Sequence, residues 1–484
     1  MIMTQEKQIL KAKKDFEQLC ELVREASERE ERIDEVEENV FGELLAIGHS
    51  LLESFIAAAG DGDCGKNVDH DGESLRRSKK KHRRRYVSVF GEHRLSRFVY
   101  ARREKQKFQW MPLDERLGLP KSEYSYLLQN WAQRMCLKES FDESRQSLAS
   151  LLGIDIPVRT LETTNQQMAE SVDGFRQQLE APSDDEEVLV YSNDCKGVPM
   201  RRQREAPSER SKRRRKGEKA NKKQMACVGT AYSIARHVRG ADEVLDEMRR
   251  QASSHQRPRP QNKRVWAEMT RASEGDQTYS GKTLVFVQQA IDLYHRDPDR
   301  QKTVLCIMDG ERALWNEQKE WLSRAVGILD IYHVMERLWQ CAYCLHAEGS
   351  CQAEQFVEHR LRLLLEGKVG YVIGGLKRLQ SQHRLSRSKA RTLQTTIQYY
   401  ENNRQHMKYD EYLAAGYPIG SGVAEGACRH VVKDRMEQTG MRWTVQGAQS
   451  MLNLRSTYIN GDWDDFHEYR IRIEQDRLYG KKAA

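Results

Sequence analysis

The feature that most constrains the fold is a short apolar run that ends in an acid. Thr303–Met308 is a stretch of six apolar or β-branched residues, and Asp309 and Gly310 follow it directly. Such a run predicts a strand buried on both faces, as in a parallel sheet. Open α/β sheets bind ligands at the carboxyl ends of their strands. Asp309 is therefore the first candidate functional residue.

Two other acids stand in similar surroundings. The apolar run at 188–191 leads to Asp194, and Glu425 lies in a glycine-rich turn before a helical pattern. Two strand-end aspartates and a helix-borne glutamate could hold two divalent metal ions over a phosphodiester. The ion expected is Mg²⁺, which prefers oxygen ligands, with Mn²⁺ as its substitute. Taken singly, each acid could instead be a turn residue or a helix cap.

Further polar residues are alternatives or accessories to this set. Asp330 and His333 form an Asp-x-x-His pair at the end of the predicted strand 327–331, and they could orient a ligand. Asp330 could also replace Asp309 as a metal ligand. Glu437 competes with Glu425, but twelve residues along a helix turn it by about 120°, so Glu425 is preferred. Four cations after Glu425 could hold phosphates: Arg429, Lys433, Arg435 and Arg442.

The charge pattern indicates a polyanionic partner. The 484 residues carry a net charge of +8, and 31% of them are charged against 38% apolar. Residues 76–85 include eight Lys or Arg, and residues 201–223 include twelve. Blocks of this kind are solvated loops that commonly bind nucleic acid. Candidate contacts in this part of the chain are Lys196, Arg213, Arg214 and Arg215.

The same composition argues against a membrane protein. The sequence shows no run of 18 apolar residues and no signal-peptide core at its N-terminus. The scattered cysteines fit a reducing compartment, so a soluble cytoplasmic protein is expected. Cys341 and Cys344 form the one cluster, which is interpreted as buried helix residues, with a metal site as the alternative.

The N-terminal part is predicted to be helical. Residues 5–58 carry an apolar stripe at helical spacing, made of Ile33, Val36, Val40, Leu44, Ile47, Leu51 and Phe55. The stripe could pack on the chain's own core or form a dimerising coiled coil. Residues 59–85 are interpreted as a basic linker.

A helix-turn-helix is predicted at about 140–172, within a DNA-binding region of 86–180. Its first helix would span 142–152 and its second 158–172, with Gly153 in the connection. DNA-binding modules of this type place the second helix in the major groove. Candidate contacts are therefore Arg159, Thr163, Asn165 and Gln166. An ordinary helical hairpin is the alternative.

The remainder is predicted to be an α/β domain interrupted by a helical insertion. The domain would comprise residues 186–333 and 415–460, with strands at 188–193, 225–233, 303–308 and 327–331. Residues 334–412 would form the insertion, with one strand signal at 369–373, and 461–484 a tail. With a prior of roughly 150 residues per domain, about three domains are expected.

Several of these segments resemble a known family. Four of them are similar to the ISKra-type bacterial insertion-sequence transposases, which belong to the Mutator-like DDE group: 192–200, 308–315, 329–333 and 417–428. The segments 433–436 and 439–443 resemble the C-terminal block of the same family. The resemblance covers roughly residues 86–460. The Asp-x-Lys-Gly-Val-Pro-Met and Gly-Ser-Gly-x-x-Glu blocks are its most specific parts.

The resemblance implies a ribonuclease-H-like core with a helical insertion and Mg²⁺-dependent DNA transposition. Asp194, Asp309 and Glu425 match the catalytic acids, and Asp330 and His333 match the accessory pair. The implied partners are the terminal repeats of the element and target DNA, handled by a homodimer or larger homo-oligomer associated with the bacterial nucleoid. Family members often carry a cysteine-bearing zinc segment before the Pro-Leu-Asp stretch. Residues 100–105 contain no cysteine, so zinc is doubtful there.

Two other functions are compatible with the same sequence. The chain could be a non-catalytic, sequence-specific DNA-binding protein derived from a transposase. It could also be a nuclease on the same fold that hydrolyses DNA without joining it. Metal binding separates the first from an enzyme, and strand-transfer products separate the second.

Overall fold

The computed structural model describes residues 2–103, 106–201, 223–249, 257–272, 278–382, 384–438 and 440–480. The chain divides into two compact units. The first comprises Met1–Ser171 and Asp464–Ala484, and the second Val172–Trp463. The first unit is mainly helical with small antiparallel sheets, and the second is mixed α/β with one mixed five-stranded sheet. The predicted combination of a helical N-terminal region with an α/β portion is confirmed at this level.

The first unit begins with two long helices, which short strands and helices follow. In chain order they are α1 (Ile2–Glu28), α2 (Ile33–Ala58), β1 (Asn67–His70), β2 (Glu73–Arg77), β3 (His82–Ser88), β4 (Gly91–Arg97), β5 (Tyr100–Ala101), α3 (Pro112–Arg116), α4 (Tyr126–Cys136), α5 (Phe141–Leu152) and α6 (Val158–Ala169). The C-terminal residues return to this unit as a helix, which corrects the predicted tail at 461–484.

The predicted basic linker at 59–85 is instead largely β-structure. Strands β1 and β2 pair antiparallel, as do β3 and β4. In β3 exposed and less exposed residues alternate, so Arg83 and Arg85 face solvent and Arg84 between them points to the other side of the strand. Arg84 and Arg97 both pair with the fully buried carboxylate of Asp114, at 2.6 Å each. Cations in this block therefore stabilise the fold as well as facing solvent.

Helix α2 differs from the expectation of no membrane-length segment. By length and composition alone it could cross a membrane, although an apolar core helix or a signal sequence passes the same test. Several residues of the predicted stripe are exposed, including Leu44, Leu51 and Phe55. Residues 29–32 are not helical, so the predicted helical region consists of two helices, α1 and α2.

The second unit follows a strand-rich order with a helical insertion. Its elements begin α7 (Val172–Arg176), β6 (Val188–Pro199), β7 (Lys223–Ile234), α8 (Ala241–Met248), β8 (Gln261–Met269), β9 (Arg271–Ala272), β10 (Thr278–Tyr279), α9 (Gly281–Arg296), β11 (Thr303–Met308), α10 (Arg312–Trp321) and β12 (Val326–Leu329). The helical part comprises α11 (Ile331–Leu345), α12 (Cys351–Leu365), α13 (Val369–Gln382), α14 (Arg387–Asn403) and α15 (Tyr409–Ala414). The unit closes with α16 (Gly422–Ala427), a π-helical turn (Cys428–Lys433), α17 (Asp434–Met436) and α18 (Val445–Ile459), and α19 (Trp463–Tyr479) follows.

The main sheet has the order β12-β11-β6-β7-β8. Strands β6, β11 and β12 are parallel to one another, whereas β7 runs antiparallel to both of its neighbours, β6 and β8. Its centre is apolar: Val188–Tyr191 and Leu305–Ile307 are fully buried. Burial on both faces explains why these runs do not alternate in polarity.

Two predictions about the elements were wrong. Residues 369–373 form the start of helix α13, because Val369, Val372 and Ile373 lie at helical spacing and all three pack into the core. Strand β8 was not predicted, since its first half is polar and only its last five residues are buried. Cys341 and Cys344 are buried in α11, as the first interpretation of that pair expected.

Candidate active site

Three aspartates lie side by side across three neighbouring parallel strands. Met308 of β11 pairs with Asn193 of β6 and with Leu329 of β12. The next residue on each strand is an aspartate. The sheet register thus assembles a row of acids from distant parts of the sequence: Asp194, Asp309 and Asp330.

Asp194 and Asp309 are the two neighbouring acids of this row that solvent can reach. Both side chains are partly exposed. Burial raises the pKa of the Asp309 carboxyl, and the negative charge of Asp194 raises it further, while the backbone N–H of Glu311 lowers it. That N–H donates to Asp309 Oδ1 at 2.9 Å. The neighbouring charge of Asp194 thus disfavours the charged form of Asp309, and a bound cation would offset that effect.

The backbone at Asp309 is held by the helical insertion. Tyr399 of α14 donates its hydroxyl to the Asp309 carbonyl oxygen at 2.6 Å. Gly310 has a φ of 91°, and a Cβ there would lie 2.8 Å from the Leu329 side chain and 2.9 Å from the Tyr399 ring. Glycine is therefore required after Asp309, both for its conformation and for the close approach of α14.

Asp330 is used differently, because its carboxylate is fully buried and hydrogen-bonded. It caps helix α11 by accepting from the Tyr332 N–H at 3.0 Å. It also accepts from His333 Nδ1 at 2.9 Å, and from the N–H of Ser421 at 3.3 Å and the Ser421 hydroxyl. These contacts occupy both carboxylate oxygens. Asp330 therefore connects the start of α11 to Ser421 and is poorly placed to replace Asp309 as a metal ligand.

His333 supplies positive charge beside the three acids. Its hydrogen bond to Asp330 raises its pKa to about 9, and the charges of Asp309 and Asp194 act in the same direction against the effect of burial. The imidazole is therefore protonated at neutral pH. The predicted Asp-x-x-His pair exists as a hydrogen-bonded ion pair that faces the other two carboxylates.

The predicted glutamate lies on a helix that packs against the sheet. We call residues 422–436 the Glu425 helix; it comprises α16, the π-helical turn and α17. The Glu425 side chain is exposed at its first turn. One turn later, the Cys428 thiol contacts Asp194, and burial together with that charge raises its pKa. The structure thus brings the Glu425 helix to Asp194, with Cys428 as the residue in contact.

The start of the Glu425 helix is fixed by its glycine-rich turn. A Cβ on Gly420 would lie 2.6 Å from the Tyr332 ring, so only glycine lets the turn pass this close to α11. The Ile331 N–H donates to the Ile419 carbonyl at 3.0 Å, and Ser421 donates to Asp330. The Gly-Ser-Gly motif therefore ties the Glu425 helix to the end of β12.

The π-helical turn is stabilised by a residue that sequence reasoning missed. Arg455 of α18 is buried, and burial lowers its pKa to about 10. Its guanidinium donates to the carbonyl of Val431 at 2.9 Å and to that of His430. These carbonyls lie in the turn where the regular α-helical pattern is interrupted. Such turns occur frequently at functional sites.

The predicted phosphate contacts on this side fall into three groups. Arg429, Lys433 and Arg442 are exposed, and Lys196 is partly exposed. Arg435 is instead fully buried, with its guanidinium 5.2 Å from the Trp443 ring centre and 3.4 Å from Met441 Sδ, so its predicted outward position is corrected. Arg213, Arg214 and Arg215 lie outside the described residues.

The two helices of the predicted helix-turn-helix are present as α5 and α6. Ser140 and Glu143 form a capping box at α5, and Gly153 ends it with a φ of 66°. Arg159 and Thr163 are exposed and Gln166 is partly exposed. Asn165 is 2% exposed and donates to Gln133 Oε1 at 2.9 Å, so it joins α6 to α4 instead of facing a partner.

A cleft opens along the exposed face of α6. Its volume is about 740 Å³. Arg159 and Thr163 line it, together with cations from elsewhere in the same unit: Lys121, Arg470 and Arg477. Glu123, Glu170 and Glu474 also line it, so the cleft carries mixed charge, with four cations against three acids.

Comparisons with known proteins add little to this picture. No protein-family model matches the chain, and a search of the curated proteins finds no match. Among solved structures, the chain is similar to the Drosophila P element transposase strand transfer complex, with a TM-score of 0.24 and 8% sequence identity over 72% of this chain and 81% of that chain. A similarity with so low a TM-score does not identify a function for the chain.

Proposed function

We propose that this chain is a metal-dependent DNA transposase of the DDE type, of the kind found in ISKra-type bacterial insertion sequences. The observation that carries the proposal is the pair Asp194 and Asp309, which the register of β6 and β11 places side by side. The raised pKa of Asp309 beside Asp194 supports a site built to receive a cation.

The topology supports a ribonuclease-H-like core. Three consecutive strands, β6 to β8, run antiparallel, and β11 and β12 then add in parallel on the other side of β6. Asp194 lies on β6 and Asp309 at the end of β11, the first and fourth of these strands. The third acid, Glu425, lies on a helix after the insertion. This is the arrangement expected when carboxylates far apart in sequence must meet.

Asp194, Asp309 and Glu425 would hold Mg²⁺, since all three offer the oxygen ligands that this ion prefers. The bound metal would activate the attacking hydroxyl and stabilise charge on the phosphate. Asp194 and Asp309 orient their oxygens from rigid strands, and Tyr399 fixes the backbone that carries Asp309. His333 balances the negative charge of the acids, and Arg429 and Lys433 present cations for the DNA backbone.

The helix-turn-helix unit would bind the terminal repeats of the element. Arg159 and Thr163 face the cleft along α6, and phosphate contacts from the cleft cations would position the DNA. Affinity should therefore fall steeply between 50 and 200 mM salt, by orders of magnitude if several phosphates are neutralised. Two ends must be joined in one reaction, so we propose that the chain acts as a homodimer or larger assembly.

The first test compares the full chain with Asp309→Asn on DNA that carries the sequences flanking its own coding region. With Mg²⁺ or Mn²⁺, the wild type should cut the ends and join them to target DNA. Asp309→Asn should bind the DNA equally but lose both reactions by about 10³-fold or more, since metal stabilisation contributes several kcal/mol. The control is Glu320→Gln, which removes an exposed acid of α10.

The outcomes separate the rival functions. Equal behaviour of the wild type and Asp309→Asn would leave DNA binding without catalysis. Cleavage without joined products would identify a nuclease. Glu425→Gln and Glu437→Gln form a second matched pair: loss in the first alone supports Glu425 as the third acid, and loss in the second alone would replace it.

A further inference from the structure

A second group of metal-ligand side chains lies in the first unit, away from the carboxylate row. His49 and Glu53 stand four residues apart on α2, and His93 lies on β4. Each offers one ligand atom, and these atoms lie within 4.8 Å of one another. Residues four apart on a helix share a face, so the two α2 side chains point together toward the strand.

We propose that His49, Glu53 and His93 form a binding site for a transition-metal ion, with Zn²⁺ as the ion that best fits. Two imidazoles and one carboxylate are a known three-ligand set for Zn²⁺, with a fourth position left for water. Imidazole selects such ions over Mg²⁺, which prefers oxygen. The bound ion would join α2 to the β3–β4 hairpin.

The hydrogen bonds of His49 leave one ring nitrogen available. Its Nε2 lies 3.0 Å from the carbonyl oxygen of Glu92. A carbonyl only accepts, so Nε2 carries the hydrogen and Nδ1 has a free lone pair in the neutral ring. Histidine ligands to metals usually donate their other N–H to a partner of this kind, which fixes the ring.

His93 has a corresponding partner. Its Nε2 lies 2.9 Å from the Ser88 hydroxyl oxygen, and its Nδ1 lies 2.7 Å from Glu53 Oε1. In the metal-bound form Nε2–H would donate to Ser88, and Nδ1 and the carboxylate would both turn their lone pairs to the ion. The His93 side chain is fully buried, whereas Glu53 is 30% exposed and leaves a route for entry.

The local backbone is built for this close approach. A Cβ on Gly48 would lie 2.6 Å from the Phe90 ring, so glycine lets the hairpin tip pack directly on α2. Gly91 has a φ of 113°, and its position lies beside the His49 ring. Both glycines neighbour proposed ligands or their partners, and together they bring the helix and the hairpin into ligand distance.

The two rings must tilt when the ion binds. The two rings stack, with centroids 4.3 Å apart and planes 11° apart. A metal bond lies in the plane of each imidazole, so parallel rings cannot both point at one ion. The half-buried His49 ring can tilt while it keeps its hydrogen bond to the Glu92 carbonyl, whereas His93 is fully buried and held by Ser88.

Metal binding can be tested apart from DNA chemistry. The full chain carrying Asp309→Asn would be stripped with a chelator and titrated with Co²⁺, whose visible absorption reports nitrogen-containing, low-coordinate sites. One equivalent should bind with such a band, and Zn²⁺ should displace it. The Asp309→Asn background weakens the carboxylate row, so that the row contributes less to the signal.

Variants then assign the ligands. His49→Gln and Glu53→Gln should each weaken Co²⁺ binding more than tenfold and remove the band, and Ser88→Ala should weaken it by about 10- to 100-fold. His70→Gln is the matched control, because His70 lies in the same unit and stacks on Trp110. The His49 and Glu53 side chains are only partly buried, so circular dichroism should show that their variants are folded. A His93 variant is not used, because removal of this fully buried side chain could unfold the protein.

Three results would overturn the proposal. They are the absence of a visible band at one equivalent, a band that survives in both His49→Gln and Glu53→Gln, or equal loss in His70→Gln. The readout is spectroscopic, and the proposed metal site lies in the first unit, away from the carboxylate row. A negative result in this experiment therefore leaves the transposase proposal unaffected.

Discussion

The ends of β11 and β12 carry aspartates that look alike in sequence and differ in use. Asp309 is partly exposed, has a raised pKa and accepts one backbone hydrogen bond through its side chain. Asp330 is fully buried and accepts from Tyr332, His333 and Ser421. A carboxylate such as Asp330, whose oxygens are hydrogen-bonded within the protein, stabilises the fold. A carboxylate such as Asp309, with one hydrogen bond and a raised pKa, is available for a ligand. Position at a strand end does not distinguish the two.

The largest expected effect on stability is at Asp330. Asp330→Asn should destabilise the protein by about 3–5 kcal/mol, because a buried amide nitrogen cannot accept the hydrogen bonds that His333 and the Ser421 hydroxyl donate to Asp330 Oδ2. Asp309→Asn should leave stability unchanged or slightly raised, since the charged form of a carboxyl with a raised pKa disfavours the folded state. Urea unfolding of the two variants measures the contrast. Equal losses would show that both acids are structural.

Gly310→Ala tests how the available acid is held. It should cost about 1–3 kcal/mol for the positive φ, and more for the contact with Leu329 and Tyr399. It should also displace Asp309 and reduce cleavage. Gly375→Ala is the control, because it lies in helix α13 with open space around its Cβ and should be neutral or mildly stabilising. Thermal unfolding of both variants decides; a neutral Gly310→Ala would contradict the close packing.

The ion pair at Asp330 should give a pH dependence. The folded pKa of His333, about 9, is above the ordinary value of 6.5. Its contribution to stability is therefore fully present below pH 6.5 and is lost as pH rises through 9. The side chain is 32% exposed, so we expect about 1–2 kcal/mol after solvent screening. His333→Gln should flatten this part of the stability profile, and an unchanged slope would refute the pairing.

The smallest expected effect on stability is at Glu425. The side chain is exposed, so Glu425→Gln should change the free energy of unfolding by less than about 0.5 kcal/mol. Ser421→Ala, at the start of the same helix, should cost about 1–3 kcal/mol because it removes a hydrogen bond to the Asp330 carboxylate. Chemical denaturation of the pair tests whether the fold is secured through Asp330 and not through Glu425.

The strands and the acids could be predicted because their signals are local. Thr303–Met308 is a continuous apolar run, and the following Asp-Gly marks its end. Gly153 in the connection between α5 and α6 was likewise visible as a local pattern. Other features of the site depend on distant partners. Asp330 is satisfied by Ser421, 91 positions later, and Asn165 is buried against Gln133 on another helix. Neither contact leaves a mark in the neighbouring sequence.

Both outer strands of the sheet are covered by side chains that come later in the chain. Along β8, Gln449 and Asn460 bond to the backbone of Val265, Ala267 and Met269. Along β12, the carbonyls of Gly327 and Leu329 accept from His406, Tyr409 and Tyr412. A nascent chain that has left the ribosome only as far as β12 therefore holds five strands with two open edges. Until roughly another 130 residues emerge, those edges can recruit foreign strands, so a pause in translation within the insertion should favour aggregation.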